Sequence, residues 1–260
     1  MLAVEGKTPH PNRRRLDALI FDLGNTLIYF DGHLPEVLLR SEAALIHSLR
    51  SAGLRLDEQA FLQEFRARLE RYYAERESEF IEYTTAYLLR TLLAEWGHPH
   101  LPEALLRQAL AEMYAVTQQY WLPEADALPV LQDLKSRGFR LGLISNASDD
   151  ADVQTLIDKA ALRPYFEVIL TSAALGVRKP NPRIFHTALA ALGAPPERAA
   201  MVGDTLGADI LGAHNAGMFS IWITRRADNP ANRAHLGTIR PDAVIATLSE
   251  LPGLLASLSA

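Results

Sequence analysis

The 260-residue chain contains no cysteine, which excludes disulfide bonds, thiolate nucleophiles and cysteine-ligated zinc sites. An excess of basic charge is also missing, since the formal net charge is -5 at pH 7. No positive field therefore concentrates nucleic acid or an anionic membrane surface around the protein. We expect neither nucleic acid nor a membrane among its partners, and the sequence leaves the oligomeric state open.

Long apolar runs are missing as well, because none approaches the roughly 18 residues that a bilayer-spanning helix needs. The first ten residues lack the apolar centre of a signal peptide. With 48% hydrophobic and 22% charged residues, the composition is that of an ordinary globular protein. The lack of cysteine fits a reducing compartment, so we expect a cytoplasmic location.

Short apolar runs are present, and they alternate with segments of helical periodicity. Runs typical of buried parallel strands lie at 16–21, 139–144, 166–170, 199–202, 219–223 and 243–245. Amphipathic helices are predicted among them at 130–137, 152–161, 182–192 and 206–216. The alternation predicts an α/β fold with a Rossmann-like parallel sheet, helices on both faces and reactive groups at the carboxyl ends of the strands.

Residues 33–122 follow a different pattern, with helix formers and apolar residues at three- and four-residue spacings. Turn formers at Gly53, near Ser78 and at Gly97 divide this stretch into about four helices. We interpret it as an α-helical cap domain inserted into an α/β core made of residues 16–32 and 123–260. Residues 1–15 are too polar to pack and are expected to form a flexible tail.

Polar side chains stand where the predicted strands end. Asp22 follows the first strand, residues 145–146 follow the second and Asp204 follows the fourth, while Lys179 precedes the helix at 182–192. Parallel strands bring such ends together at one edge of a sheet. Each side chain alone has an ordinary explanation, such as a cap or a solvated charge. Four of them in order at strand ends indicate a functional site.

The residue types suit phosphoryl transfer. Asp22 can attack phosphorus and form an acyl phosphate that water later hydrolyses. Asp204 and Asp209 offer hard oxygen ligands of the kind that magnesium prefers. Lys179 can place an ammonium beside the transferred oxygens, and the polar groups of residues 145–146 can donate hydrogen bonds to a phosphoryl oxygen.

Nearly everything after residue 15 resembles the haloacid dehalogenase superfamily of hydrolases. The segments that carry the resemblance are Phe21-Asp22-Leu-Gly-Asn-Thr26-Leu, Ile144-Ser145-Asn146, Gly176 to Phe185 around Lys179, and Val202-Gly203-Asp204 to Asp209. The resemblance implies a catalytic nucleophile at Asp22, which also binds magnesium, and a catalytic lysine at Lys179. It further implies magnesium binding by Asp204, by the main-chain carbonyl of Gly24 and, through the water shell of the metal, by Asp209. The implied substrate-binding residues are Ser145, Asn146 and Thr26.

Gly24 departs from the pattern of the phosphatases in this superfamily. They keep an aspartate at this position, which protonates the leaving alcohol and then activates water. Such acid–base roles contribute about 10²–10⁴-fold in rate. The departure predicts weak activity on alkyl phosphates and better activity on anhydrides, acyl phosphates or aryl esters, whose leaving groups need little protonation.

Three functions stay open at this point. The first is a magnesium-dependent hydrolase of a small phosphorylated metabolite, acting on a phosphoric monoester or anhydride. The second is a 2-haloacid dehalogenase, although the acidic pair Asp204 and Asp209 favours a metal enzyme. The third is a degenerate member that binds a ligand without turnover, an idea that rests on Gly24 alone. A phosphonate-cleaving relative is disfavoured, because the span from His33 to Trp121 contains no lysine to form an imine.

Overall fold

The computed structural model of the chain describes residues 15–259, apart from the side chains of residues 76–79. The predicted flexible tail, residues 1–15, lies outside the described residues except for Arg15. The described strands are β1 Ala18–Phe21, β2 Ile28–Phe30, β3 Trp121–Pro123, β4 Arg140–Ser145, β5 Val168–Thr171, β6 Ala199–Gly203, β7 Phe219–Ile223 and β8 Ala243–Ile245. The described helices are α1 Leu34–Ser51, α2 Glu58–Glu79, α3 Thr85–Glu95, α4 Glu103–Gln118, α5 Ala127–Ser136, α6 Asp150–Lys159, α7 Ser172–Leu175, α8 Pro182–Leu192, α9 Leu211–Asn215, α10 Pro230–His235 and α11 Leu251–Ser259.

Six parallel strands form the central sheet in the order β5-β4-β1-β6-β7-β8. Successive residues of β1 are buried on opposite faces: Leu19 and Phe21 pack in one apolar cluster, and Ala18 and Ile20 in another. Helices α5, α6 and α11 contribute to the first cluster, and α8 and α9 to the second. Both faces of the sheet are therefore covered, which explains the continuous apolar strands. This architecture confirms the predicted α/β fold.

The chain order places β1 between β4 and β6, so the connections leave it in opposite directions across the sheet. Ligands of open parallel sheets bind at such a reversal, outside the carboxyl ends of the strands. Phe21 at the end of β1 pairs with Leu143 of β4 and with Val202 of β6. The residues that follow these three strands consequently lie side by side.

The helices α1 to α4 lie between β2 and β3, which pair with each other as a short antiparallel sheet. The helices share an apolar core of their own, to which Leu45, Phe61, Phe65, Leu89 and Leu92 belong. This inserted unit has the helical character predicted for residues 33–122, with breaks at the expected places. The exact division into a core of 16–32 and 123–260 and a cap of 33–122 stays a prediction.

A further contact joins the insert to the sheet region. Between α2 and α3, Ile81 forms an antiparallel bridge with Val177, next to the hydrogen bond from Arg178 N to Phe80 O of 3.1 Å. Glu82 N also donates to Gly176 O at 3.2 Å. The insert is thus attached to the core beside Lys179 as well as through β2 and β3.

The structure differs from the sequence prediction in several elements. The helix predicted at 206–216 consists of a π-helical turn at Leu206–Ile210 followed by α9. The strands β2 and β3 were not predicted, because three residues are too few to show a periodic pattern. Among residues 15–259, no helix is long and apolar enough to cross a membrane.

Candidate active site

The sheet brings the predicted polar residues to one cavity of about 250 Å³ at the carboxyl ends of the strands. Asp22 lies directly after β1, Ser145 ends β4, and Asp204 follows Gly203 at the end of β6. Of the residues predicted for the site, those that line the cavity are Asp22, Gly24, Ser145, Asn146, Lys179, Asp204 and Asp209. The structure therefore brings together seven of the eight.

Thr26 is the exception. Its side chain is fully buried, and its hydroxyl has no hydrogen-bond partner among the described residues. It does not line the cavity that Asp22 lines. The structure thus gives no support to substrate binding by Thr26.

Lys179 is the cationic centre of the cavity. Its Nζ lies 2.6 Å from Asp22 Oδ1, 2.7 Å from Asp209 Oδ1 and 2.9 Å from the carbonyl oxygen of Ile144. Burial alone would lower the pKa of Lys179, but the negative charges of Asp209 and Asp22 outweigh it, and the pKa is raised. Lys179 therefore carries a fixed positive charge against the carboxylate of Asp22.

Asn146 holds the backbone of Lys179 in place. Its Oδ1 accepts a hydrogen bond from Lys179 N at 2.8 Å, and its Nδ2 donates to Lys179 O at 3.0 Å. Both polar atoms of the amide are engaged in this pair of bonds. Asn146 consequently positions the backbone of Lys179, and its neighbour Ser145 also lines the cavity.

Asp204 and Asp209 face Asp22 from the segment after β6. The three carboxylates offer oxygen atoms that all lie within 4.8 Å of one another, and all three side chains are buried. Burial, together with the negative charge of Asp22, raises the pKa of Asp204 and that of Asp209. One lysine does not balance three carboxylates, so the cluster favours a further cation.

The backbone after β6 is shaped for this cluster. Asp209 Oδ2 accepts a hydrogen bond from Thr205 N at 2.9 Å, within the turn that leads into the π-helical segment. A methyl group on Gly203 would collide with the carboxylate of Asp209, so this position requires glycine. Asp209 thereby reaches back to the sheet edge rather than pointing away from it.

The donor atoms of the cluster are of the type that magnesium prefers. Its donors are hard carboxylate oxygens on neighbouring segments, and mutual repulsion disfavours their negative charges unless a cation is bound. Gly24 lines the same cavity, so its backbone is close to the acidic groups. The residues present therefore fit the metal that the sequence implies.

Space is available beside Gly24. A Cβ added there would make ordinary contacts of 3.7 and 3.8 Å with the ring of Trp121. Gly24 is also absent from the glycines with positive φ, so its backbone does not require glycine. Neither the space around a Cβ nor the backbone conformation therefore requires glycine at this position.

The sequence reading missed three residues that shape the site. Trp121 and Asp152 line the cavity, the former from β3 and the latter from the first turn of α6. Asn232 of α10 is buried; its Nδ2 donates to Asp204 O at 2.8 Å, and its Oδ1 accepts from Leu206 N at 2.7 Å. The sequence predicts no helix at Pro230–His235, so no pattern pointed to Asn232.

A parallel α/β sheet with a helical insert, and with a buried aspartate, lysine and acidic pair at its carboxyl edge, is typical of a hydrolase built on a Rossmann-like core. A family model of haloacid dehalogenase-like hydrolases matches residues 16–217. The chain belongs to this family of hydrolases, as the resemblance of its motifs implied.

Individual relatives include phosphatases and a dehalogenase. Glyceraldehyde 3-phosphate phosphatase of Methanopyrus kandleri is 32% identical over 213 residues, which cover 81% of this chain and 84% of the relative. Phosphoserine phosphatase of Thermus thermophilus is 31% identical over 242 residues, covering 82% of this chain and 91% of the relative. The crystal structure of 2-haloacid dehalogenase from Pseudomonas syringae matches with a TM-score of 0.63 at 28% identity, covering 93% of this chain and 99% of that one.

Proposed function

We propose that this hydrolase is a magnesium-dependent phosphatase that acts on a small phosphorylated metabolite, with Asp22 as its nucleophile. The observation that carries the proposal is the 2.6 Å contact between Asp22 Oδ1 and Lys179 Nζ inside a cavity that also holds Asp204 and Asp209. A carboxylate fixed by an ammonium beside an acidic metal cluster suits attack on an anionic phosphoryl group. The relatives named as phosphatases support this chemistry.

Asp22 would attack phosphorus and form an acyl phosphate, which water then hydrolyses. Lys179 offsets the charge of the transferred oxygens, and Ser145 donates a hydrogen bond to one of them. Magnesium, held by Asp22, Asp204 and the Gly24 carbonyl with Asp209 beside it, would supply further positive charge when bound. The helical insert would set specificity and exclude water from the cavity.

A 2-haloacid dehalogenase is the second candidate, and the similarity to the Pseudomonas syringae enzyme favours it. Displacement of halide from carbon needs no proton donor, so the lack of a side chain at Gly24 is compatible with it. This function predicts halide release from a 2-haloacid in the absence of magnesium. A member that only binds its ligand predicts neither reaction.

Replacement of the nucleophile tests the proposal. We expect Asp22→Asn to lower magnesium-dependent phosphate release from 4-nitrophenyl phosphate by about 10³-fold or more, because the amide is not a nucleophile. Asp17→Asn, just before β1 and outside the cavity, is the matched control and should keep the parental rate. Full activity of Asp22→Asn, or turnover without magnesium, would contradict the proposal.

We also propose a division into two domains. The α/β core comprises residues 16–32 and 123–260, and the cap comprises residues 33–122. The cytoplasmic location expected from the sequence also stays a prediction.

A further inference from the structure

Neither Gly24 nor Lys179 can exchange a proton with the leaving oxygen. Gly24 has no side chain. The ammonium of Lys179 contacts two carboxylates and the Ile144 carbonyl, and its raised pKa makes it a poor acid at neutral pH. An ester of an alcohol nevertheless needs a proton on its leaving oxygen for fast cleavage.

One titratable side chain among the described residues of the cavity lies outside the cluster of Asp22, Lys179, Asp204 and Asp209. The titratable side chains that line the cavity, within the described residues, are Asp22, Asp152, Lys179, Asp204 and Asp209. All except Asp152 belong to the interlocked group of nucleophile, cation and acidic cluster. Asp152 is therefore the carboxyl that is left for proton transfer.

The position of Asp152 suits a leaving group. It lines the 250 Å³ cavity together with Asp22, and it also lines a larger cavity of about 660 Å³ between α3, α4 and α6. A phosphoryl group beside Asp22 leaves the rest of a substrate to extend into the larger space. The leaving oxygen would join these two parts of the substrate, and Asp152 is the residue that lines both cavities.

Asp152 is held in a defined orientation. Its backbone N donates to the side chain of Asp149 at 2.9 Å, which caps α6, and its Oδ1 accepts a hydrogen bond from Gln118 Nε2 at 2.8 Å. Gln118 is the last residue of α4, so the insert itself orients this carboxyl. The second carboxylate oxygen is not used by the bond to Gln118.

The electrostatic surroundings of Asp152 suit proton exchange near neutral pH. Burial raises the pKa of Asp152 to about 6, and the charge of Asp149 adds to this, while the hydrogen bond from Gln118 acts against it. The other charged side chains lining the larger cavity are Arg90, Glu103, Arg107, Asp149 and Asp150. Both arginines form ion pairs with Glu103.

We propose that Asp152 is the general acid and base of this site and takes over the function for which Gly24 lacks a side chain. The proposal rests on the proposed phosphatase function and names the residue that completes it. It also removes the expectation that alkyl phosphates are poor substrates.

Asp152 gives up a proton in the first step and regains one in the second. An oxygen of Asp22 attacks phosphorus while the bond from phosphorus to the leaving oxygen breaks; the electron pair stays on that oxygen, which takes the proton of the Asp152 carboxyl. The Asp152 carboxylate then takes a proton from water as the water oxygen attacks phosphorus and the bond to Asp22 breaks. Alcohol and inorganic phosphate leave, and both aspartates return to their starting states.

The experiment compares two substrates with leaving groups of different acidity. We expect Asp152→Asn to lower the steady-state rate on glycerol 3-phosphate by about 10²–10⁴-fold, because the alcohol leaves without a proton. With 4-nitrophenyl phosphate, the variant should give a rapid burst of nitrophenol followed by slow turnover, since only the water step still needs the base. Asp158→Asn, an exposed carboxylate of the same helix, is the control and should behave like the parent.

A second variant separates a catalytic role from a structural one. Gly24→Asp in the Asp152→Asn background should raise the rate on glycerol 3-phosphate at least about tenfold above that of Asp152→Asn alone. Unchanged rates in Asp152→Asn, equal losses on both substrates without a burst, or no rescue would overturn the proposal. If the parental rates do not depend on Asp22, the phosphatase function itself fails, which is a distinguishable result.

Discussion

Buried charges dominate the site at the scale of single residues. Asp22, Lys179, Asp204 and Asp209 are each less than a tenth exposed, and removing such groups from water costs several kcal/mol per ion. Buried ion pairs seldom repay this cost in stability. Four buried charged side chains in one cavity therefore point to chemistry rather than to folding.

The raised pKa of Asp152 should also make the melting temperature of the protein depend on pH. The Asp152 pKa of about 6 in the folded chain lies above the ordinary value of an aspartate, so the folded state binds its proton more tightly than the unfolded state does. The stabilising contribution is complete below about pH 4 and is lost as the pH rises to about 6. We expect Asp152→Asn to melt at least about 2 °C higher than the parent at pH 8, and this difference to vanish near pH 4.

Thermal unfolding of both proteins at pH 4, 6 and 8 provides the measurement. Asp158→Asn is again a suitable control, because its exposed carboxylate pairs with Arg163 and its pKa is lowered rather than raised. A lower melting temperature of Asp152→Asn at pH 8 would contradict the expectation, since it would mean that the charged form is favourably paired.

At the scale of elements, the predictable parts were those with a long or strongly apolar pattern. The helix predicted at 182–192 coincides with α8, which Asn181 caps and Gly193 ends. The strand at 219–223 coincides with β7. The π-helical turn at Leu206–Ile210 could not be predicted, because its geometry follows from Asp209 reaching back to Thr205 N and not from local periodicity.

The candidate site likewise contains residues that the sequence pattern could identify and residues that it could not. Asp22, Ser145 and Asp204 could be found from the sequence because each ends or follows an apolar strand. Asp152 could not, since a carboxylate in the first turn of a helix is commonplace and its exposure to the cavity depends on how α6 packs against α4. The sequence pattern thus identifies site residues at the ends of strands, but not those on the helices that face the cavity.

The segment between α2 and α3 carries a buried acid that joins the insert to the core. Glu82 Oε2 accepts a hydrogen bond from Ser172 Oγ at 2.8 Å and lies 3.7 Å from Arg178 Nη1, and its other oxygen accepts one from the Tyr72 hydroxyl. We expect Glu82→Ala to lower the free energy of unfolding by about 1–3 kcal/mol, because buried donors lose their acceptor. Glu82→Gln, which keeps one acceptor oxygen, should lose less.

Urea unfolding of the variants measures this difference. Glu36→Ala, on the exposed first turn of α1, serves as the control and should stay within about 0.5 kcal/mol of the parent. Amide exchange of Arg178 N should also quicken in Glu82→Ala, since its bond to Phe80 O would open more often. Equal stability of Glu82→Ala and the parent would show that this contact is not held by Glu82.

At the scale of the whole molecule, metal binding should be visible without any substrate. A cation that binds only the folded chain stabilises it by about 2.7 kcal/mol at 100 times its dissociation constant. In a chain of this size we expect magnesium to raise the melting temperature by roughly 5–10 °C under that condition. Asp204→Asn should lose most of this rise, because one of the three clustered carboxylates is gone.

Melting curves over a magnesium titration are the measurement, with Asp158→Asn as the variant expected to keep the full rise. The absence of any shift in the parent protein would contradict magnesium binding by the cluster. A shift of equal size in Asp204→Asn would place the cation elsewhere.

The attachment of residues 80–82 to residues 176–178 bears on any exchange of helical inserts among related hydrolases. A graft that joins donor and recipient only at β2 and β3 would leave Val177 without its bridge and Arg178 N without Phe80 O. These groups directly precede Lys179, so a foreign insert would loosen the segment that carries the lysine. A chimaera built on this chain therefore has to keep residues 80–82 together with its own core.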